Sequence, residues 1–356
     1  YDHPFDSRRI WADCCTEDNF ALPLCEDTAI VYCLMTNIEM SVFIAMTAHR
    51  FAAGILPPGE VVLQKLSSPA GPQNAVLSLS LEKGQLTRHL RSEQHAAYCP
   101  VCLRAAVYHR IDWQPRIVTM CREHGCYLRD ACPECGRFVG VADVAWGCCR
   151  TCGARLAAAD AEMLDGESSV YRSQCALQGW LHRDGTEDGL GISTNEITEP
   201  LNALYYVVLG LSGALRGDMS CLTALGFDLG KDVLPRLDHR VSDPKVHGLT
   251  LAAAYEALLD WPRNFYHLLD VVRTRQRKDK VDNLTAFGSL YSRQLSHDWQ
   301  LAPFMFVQNA FDQYLMNDPS LCASLLKSKR SRGLTGLADR LPYMRLEAAA
   351  KLLGIG

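Results

Sequence analysis

The chain has 356 residues, of which 48% are hydrophobic and 21% are charged, and its formal net charge is −4. This composition excludes a disordered chain and predicts a folded protein of about two or three domains. The weakly acidic total excludes nucleic-acid binding through overall charge, so any such binding must use local basic patches.

The N-terminal region, residues 1–95, is predicted to be helical. Its apolar segment at 28–56 is interrupted by Asn37, Glu39, His49 and Arg50, which favours a buried core segment over a membrane helix. A second apolar segment, 201–215, is too short to span a bilayer. We therefore expect no membrane association.

Cysteines dominate the next segment, because nine of the sixteen lie between Cys99 and Cys152. The other seven are scattered, mostly in apolar surroundings, as in a reduced intracellular protein. Four pairs of ligand-type residues have two residues between their members: Cys99 and Cys102, Cys121 and His124, Cys132 and Cys135, Cys149 and Cys152. Each such turn directs two donor atoms at one ion, and two turns complete a tetrahedron. The sequence therefore predicts two zinc ions, one with a Cys₃His shell and one with a Cys₄ shell.

Both predicted shells are closed, which indicates structural ions that supply folding free energy and not catalytic ones. Gly136 and Gly153 follow the second cysteine of a turn, where a positive φ is often needed. Cys126 is expected to pack as a small apolar residue. Cys148 is an alternative to Cys149 as a ligand, although only Cys149 preserves the two-residue spacing.

Between the first two turns, residues 108–120 are predicted to form a strand pair that packs on the zinc turn. This part of the chain contains three arginines, Arg104, Arg110 and Arg116. They either form structural bonds within the protein or contact phosphate. The sequence leaves these two interpretations open.

Amphipathic patterns return after residue 157. The segments 199–215, 249–261 and 303–316 have apolar residues at three- and four-residue steps, which predicts helices. Glycine-rich and polar segments at 185–191 and 238–248 are predicted to be loops.

Two basic patches follow, at 271–280 and 327–333. A solvated helix face is the alternative interpretation for the first. The candidate nucleic-acid contacts in these patches and the terminal segment are Arg273, Arg275, Arg277, Lys278, Lys329, Arg330, Arg332 and Arg345.

The terminal segment, 341–356, matches the first helix and the turn of a helix-turn-helix, whose recognition helix is not in this sequence. An amphipathic terminal helix with a glycine C-cap is the alternative.

These segments together predict a mainly α fold with small zinc-ribbon or knuckle β elements. The expected domains are an N-terminal helical region (1–95), a tandem zinc-binding module inserted between helical regions (96–156), a helical domain (157–326) and a basic tail with a partial helix-turn-helix (327–356). The sequence contains no P-loop, no HExxH, no zinc-deaminase pattern and no GxSxG. We therefore predict that the protein is not an enzyme.

The order and spacing of YCPVCL, CREHG, CPECG and a final CxxCG, with Trp113 between the first two, resemble the TniQ/TnsD family of transposon target-selection proteins. The segments WPRNFYHLL, FGSLYSRQL and LEAAAKLLGI also look like the helical C-terminal half of that family. The resemblance covers roughly residues 95–356.

The resemblance implies a non-enzymatic adaptor that recruits an AAA+ ATPase of the TnsC type, which in turn engages the transposase. Some members read an attachment site in DNA themselves. Others bind a CRISPR effector with its guide RNA, and these are often dimers. The resemblance gives the eight paired residues above as zinc ligands, and a bacterial cytoplasmic location with action at the nucleoid. The alternative functions are a zinc-containing helix-turn-helix transcription regulator and a zinc-dependent nucleic-acid enzyme, the latter disfavoured by the closed shells.

Overall fold

Helices form most of the regular structure in the computed structural model, which describes residues 33–55, 89–92, 94–184, 190, 192, 200–216, 219–228, 243–275, 287–295, 299 and 301–318. The α-helices are α1 (Met40–Ala45), α2 (Ala52–Ile55), α3 (Pro100–Ala105), α4 (Val141–Trp146), α5 (Ser169–His182), α6 (Pro200–Arg216), α7 (Ser220–Ala224), α8 (Pro244–Glu256), α9 (Arg263–Arg275) and α10 (Met305–Met316). Short 3₁₀ helices span Ala48–Phe51, Ile111–Trp113, Leu156–Ala158 and Ala302–Phe304, and a π-helical turn spans Leu290–Leu295. Within these ranges β structure is limited to isolated antiparallel bridges. The prediction of a mainly α fold is confirmed.

The helical core is built on α6 and α8, whose buried faces pack together. Leu204, Val208 and Leu211 of α6 have no exposed surface, and their three- and four-residue steps explain why this segment forms a helix. The buried hydroxyls of Ser212 and Thr250 are 2.8 Å apart and satisfy each other across the two helices.

The segment 238–248, predicted as a loop, is helical in its second part. α8 begins at Pro244, and the Asp243 carboxylate accepts a hydrogen bond from the Lys245 backbone N–H at 2.9 Å. Asp before Pro is typical of a helix N-cap as well as of a turn. Here a helix forms because the residues that follow provide an apolar face. The first part of that segment and most of 185–191 lie outside the described residues.

The strand pair predicted at 108–120 is reduced to isolated bridges. Residues Ile111–Trp113 form a 3₁₀ turn, and the chain then makes two isolated antiparallel bridges, Pro115 with Leu90 and Met120 with Tyr127. The flanking backbone groups bond instead, with Arg91 N–H donating to Gln114 and Arg116 N–H donating to His89, both at 2.8 Å.

Two glutamines of α5 join the helical core to the cysteine-rich segment. Gln174 accepts from the Thr119 N–H at 2.9 Å and donates to the Ile117 carbonyl at 3.0 Å. One turn later, Gln178 donates to the Met120 carbonyl at 3.0 Å. Both side chains are buried, so they satisfy backbone groups that have no strand partner.

The described N-terminal residues pack against the same helix. Ala48, Phe51 and Ile55 have no exposed surface. Gly54 lies so close to α5 that a Cβ added there would be 2.5 Å from the Leu181 carbonyl oxygen. Among the described residues, no helix is long and apolar enough to cross a membrane.

One hydrophobic cluster runs from Ala48 to Leu315 and includes buried residues on both sides of residue 156. The predicted domain boundaries remain predictions. The basic tail and the helix-turn-helix segment lie outside the described residues.

Replacing Gln174 by Ala should lower the free energy of unfolding by about 2–4 kcal/mol, because it leaves two buried backbone groups without partners. Urea unfolding of the metal-loaded protein measures this. Cys175→Ser is the matched control, since the neighbouring side chain on α5 is exposed. Equal stability of the two variants would contradict the role given to Gln174.

Candidate metal centre

The first predicted ligand set comes together in the structure. The ligand atoms of Cys99, Cys102, Cys121 and His124 all lie within 4.8 Å of one another. His124 Nδ1 is 3.6, 3.2 and 3.5 Å from the sulfur atoms of Cys99, Cys102 and Cys121, and the last two sulfurs are 3.6 Å apart. The three cysteines are buried and His124 is partly buried.

The second set is also assembled. Its four sulfur atoms, from Cys132, Cys135, Cys149 and Cys152, lie within 4.8 Å of one another. Cys132 is 3.6 Å from Cys152, and Cys135 is 3.8 Å from Cys149. Cys135 and Cys152 are exposed, so this centre lies at the surface. Cys149 and not Cys148 belongs to the cluster.

These distances suit a tetrahedral ion. Zn–S bonds of about 2.3 Å place two sulfur ligands about 3.8 Å apart at the corners of a tetrahedron, and a sulfur and a nitrogen slightly closer. Three thiolates with an imidazole, or four thiolates, form the soft donor set that zinc prefers. Both clusters could hold a metal ion, and their chemistry is consistent with zinc.

Three of the four turns share one backbone arrangement. The N–H of the first ligand donates to the carbonyl five residues on: Cys121 to Cys126, Cys132 to Arg137, Cys149 to Ala154. The glycine four residues after the first ligand donates back to that ligand's carbonyl. Gly125, Gly136 and Gly153 have φ angles of 60°, 68° and 76°, as only glycine adopts readily. The expectation for Gly136 and Gly153 is confirmed, and Gly125 follows the same rule.

The first turn differs because it opens a helix. Cys99 is the N-cap of α3, and its sulfur accepts from the Cys102 N–H at 3.4 Å. Pro100 starts the helix in a conformation that its ring already favours. Helix geometry thus sets the spacing of Cys99 and Cys102.

Asp143, which the sequence analysis did not single out, positions the second centre. Its carboxylate accepts from the Gly140 N–H at 2.8 Å, and from the backbone N–H and Nε of Arg150 at 2.8 and 2.9 Å. Burial alone would raise the pKa of Asp143, but these hydrogen bonds outweigh it and lower the pKa. The capping-box spacing of Gly140 and Asp143 at α4 is the signal that could have found it.

Cys126 is buried, as expected, but it is not remote from the first centre. Its sulfur is 3.5 Å from that of Cys99. It lies outside the set of four mutually close ligands.

Most arginines of the cysteine-rich segment are engaged within the chain. Six of the eight bond to carbonyls or carboxylates: Arg104 to Ala157 and Ala159, Arg110 to Glu123, Arg116 to Leu90, Arg122 to Asp184, Arg129 to Asp160, and Arg150 to Asp143. The structural interpretation therefore explains Arg104 and Arg110. It explains Arg116 only in part, because only its Nε bonds.

Among the candidate nucleic-acid contacts, Arg273 has a side chain that the structure describes. It pairs with Asp318 at 2.6 Å and so ties α9 to the end of α10. Arg275 ends α9, and its side chain is not described. The others, Arg277, Lys278, Lys329, Arg330, Arg332 and Arg345, lie outside the described residues. The nucleic-acid role of all eight stays a prediction.

Cys132→Ser should reduce the metal content from about two zinc ions per chain to about one, because the second shell loses a ligand. Elemental analysis of purified protein measures the content. Cys148→Ser is the matched control and should retain both ions. Loss of an ion from the Cys148 variant would overturn the assignment of Cys149.

Zinc binding should release protons, and the number of protons released should differ between the two centres. Burial and the neighbouring Cys121 thiol raise the pKa of Cys102 to about 12, so that thiol is protonated at neutral pH before metal binds. A hydrogen bond from the Cys152 backbone is the largest influence on Cys149 and lowers its pKa to about 6. Zinc must displace about three protons at the first centre, and its affinity should fall as pH falls.

Calorimetry of zinc binding in buffers of different ionisation enthalpy counts these protons. The Cys132→Ser variant isolates the first centre. A binding heat that is independent of the buffer would contradict protonated thiols.

Comparison with known proteins gives one match. Residues 36–128 match the TniQ family model. A search of curated proteins found no match. The matched range contains the whole first ligand set and ends before the second, so the resemblance drawn from the cysteine motifs is confirmed on its N-terminal part. The chain therefore carries a TniQ domain, at residues 36–128.

Proposed function

We propose that this protein is a target-selection adaptor for DNA transposition. A TniQ domain indicates transposition-associated target selection at the level of the family. In the proposed role the protein links target DNA, or a guide-RNA effector bound to it, to an AAA+ ATPase of the TnsC type. The transposase is then engaged indirectly through the ATPase, and no chemical step falls to this chain.

One observation carries the proposal: the TniQ match coincides with a ligand shell that has no open position. Residues 36–128 include Cys99, Cys102, Cys121 and His124, which use every corner of a tetrahedron. A closed shell holds a fold together and does not activate water. The metal therefore supports a rigid surface, which is what an adaptor requires.

The finer parts of the proposal rest on sequence. Both ions are zinc, the eight ligands act structurally, and the segment 341–356 belongs to a helix-turn-helix that contacts DNA. The protein acts at the bacterial nucleoid, as a monomer or a homodimer. Its basic residues at 271–280 and 327–333 contact phosphates.

An exposed apolar patch on the metal module is the proposed contact for the ATPase. Trp146 ends α4 with 77% of its surface exposed. Gly147 follows it, and a Cβ added there would be 2.7 Å from Val107, so the two segments touch. Val107 and Tyr108 are about half exposed. Large aromatic side chains of this kind dominate protein interfaces.

The test is retention of the TnsC-type ATPase from the same source on immobilised protein, with ATP and DNA present. Wild-type protein should retain it. Trp146→Ala should weaken the complex by about tenfold or more, because a central aromatic contributes that much to an interface.

Met163→Ala is the control, because Met163 is 61% exposed and lies outside the patch. An equal loss in both variants would remove Trp146 from the interface. If wild-type protein retains no ATPase yet selects a motif from random duplex DNA, a transcription regulator replaces the adaptor.

A further inference from the structure

The two metal centres differ in how well the protein covers their sulfur atoms. In the first centre all three cysteines are at most 3% exposed. In the second centre Cys132 and Cys149 are also buried, but Cys135 and Cys152 are exposed. A small reagent in solution therefore reaches sulfur directly at the second centre, whereas the first centre presents no exposed sulfur ligand.

The space beside the ligand-bearing turns differs in the same way. A Cβ added at Gly125, in the second turn of the first centre, would be 3.2 Å from the Tyr171 ring of α5. A Cβ added at Gly136 or Gly153, in the turns of the second centre, would meet no other described atom within 4 Å. Helix α5 thus covers a turn of the first centre, while both turns of the second centre face open space.

Each exposed sulfur of the second centre has a buried sulfur beside it. The Sγ of Cys152 is 3.6 Å from that of Cys132, and the Sγ of Cys135 is 3.8 Å from that of Cys149. A disulfide needs a separation of about 2.05 Å, so each pair would have to close by about 1.5–2 Å. Both pairs join one turn to the other, so disulfides formed in them would keep the turns together without a metal ion.

We propose that the second centre is a reversible redox switch that hydrogen peroxide oxidises, and that burial protects the first centre. Cysteines that hold a metal ion are thiolates, which is the form that reacts with peroxide. Among thiolates, those that solvent can reach react fastest. The exposure of Cys135 and Cys152 therefore determines which centre responds. The inference does not depend on the adaptor role.

Each disulfide consumes one molecule of peroxide. The exposed thiolate attacks one peroxide oxygen, the O–O bond breaks, and a sulfenic acid and a hydroxide ion form. The buried thiolate then attacks the oxidised sulfur, the S–S bond forms, and a second hydroxide ion leaves. Two thiolates lose two electrons in total, the peroxide gains them, and two protons from solvent convert the hydroxide ions to water. After two such rounds the shell contains no thiolate and no longer binds the ion.

The part of the molecule that this switch would alter is α4. This helix and its exposed Trp146 lie between the ligands Cys135 and Cys149. Closing the sulfur pairs would move the two ends of this segment, whereas the first centre would keep its ion. Oxidation would thus reshape the surface around α4 and leave the range 36–128 in place.

Zinc release from full-length wild-type protein, first shown to contain two zinc ions, tests the proposal. In hydrogen peroxide, with a chromogenic chelator to report free zinc, about one ion per chain should be released at least about tenfold faster than the other. An excess of thiol reductant and zinc should restore both ions. Release of both ions in a single phase would overturn the proposal.

Peptide mapping by mass spectrometry after the fast phase identifies the oxidised cysteines. The expected disulfides join Cys152 to Cys132 and Cys135 to Cys149. A disulfide within one turn would overturn this pairing. A first product between Cys99 and Cys126, whose sulfurs are 3.5 Å apart, would show that burial does not protect the first centre.

Two variants assign the phases. Cys132→Ser is expected to keep only the ion of the first centre, and peroxide should release that ion at the slow rate. Cys148→Ser is the matched control, because Cys148 is half-buried beside Cys149 but lies outside the ligand set, and it should release zinc as wild type does. Fast release from Cys132→Ser, or loss of the fast phase in Cys148→Ser, would contradict the proposal. The wild-type measurements stand whether or not Cys132→Ser folds.

Discussion

The middle of this protein is organised around two sets of four ligand-type residues, because it contains little regular structure. Residues 96–156 contain two short helices, a single 3₁₀ turn and isolated bridges. Such a segment does not form the repeated hydrogen bonds that make a sheet stable by itself. The two ligand sets bring its four turns together, and a metal ion held by each set would contribute folding free energy.

Polar side chains from neighbouring helices also hold the ligand-bearing turns in place. Gln174 and Gln178 of α5 bond to the backbone at residues 117–120, directly before Cys121. Asp143 performs a similar task for the second centre, where it fixes the Arg150 backbone between two ligands. Each centre is therefore supported by its own turns and by a polar side chain from an adjoining helix.

The two centres differ in their relation to the TniQ match. The TniQ match ends at residue 128, between the two centres, so the second centre and Trp146 lie beyond the matched range. The first centre lies within the matched range. The second centre, exposed at Cys135 and Cys152, is joined to it by Val107 against Gly147.

The sequence by itself determined the ligand sets and most helices. A two-residue spacing fixes local turn geometry, and three- and four-residue apolar steps fix a helix face, so both can be recognised without tertiary contacts. Only the tertiary structure decided the rest. Helix α8 replaced the second part of a predicted loop, and a 3₁₀ turn replaced part of a predicted strand pair. Gln174 of α5 came to bond the backbone at residues 117 and 119, which are far from it in the chain. The reason is physical: burial and electrostatic proximity are properties of the folded chain, and they leave no local pattern in a sequence.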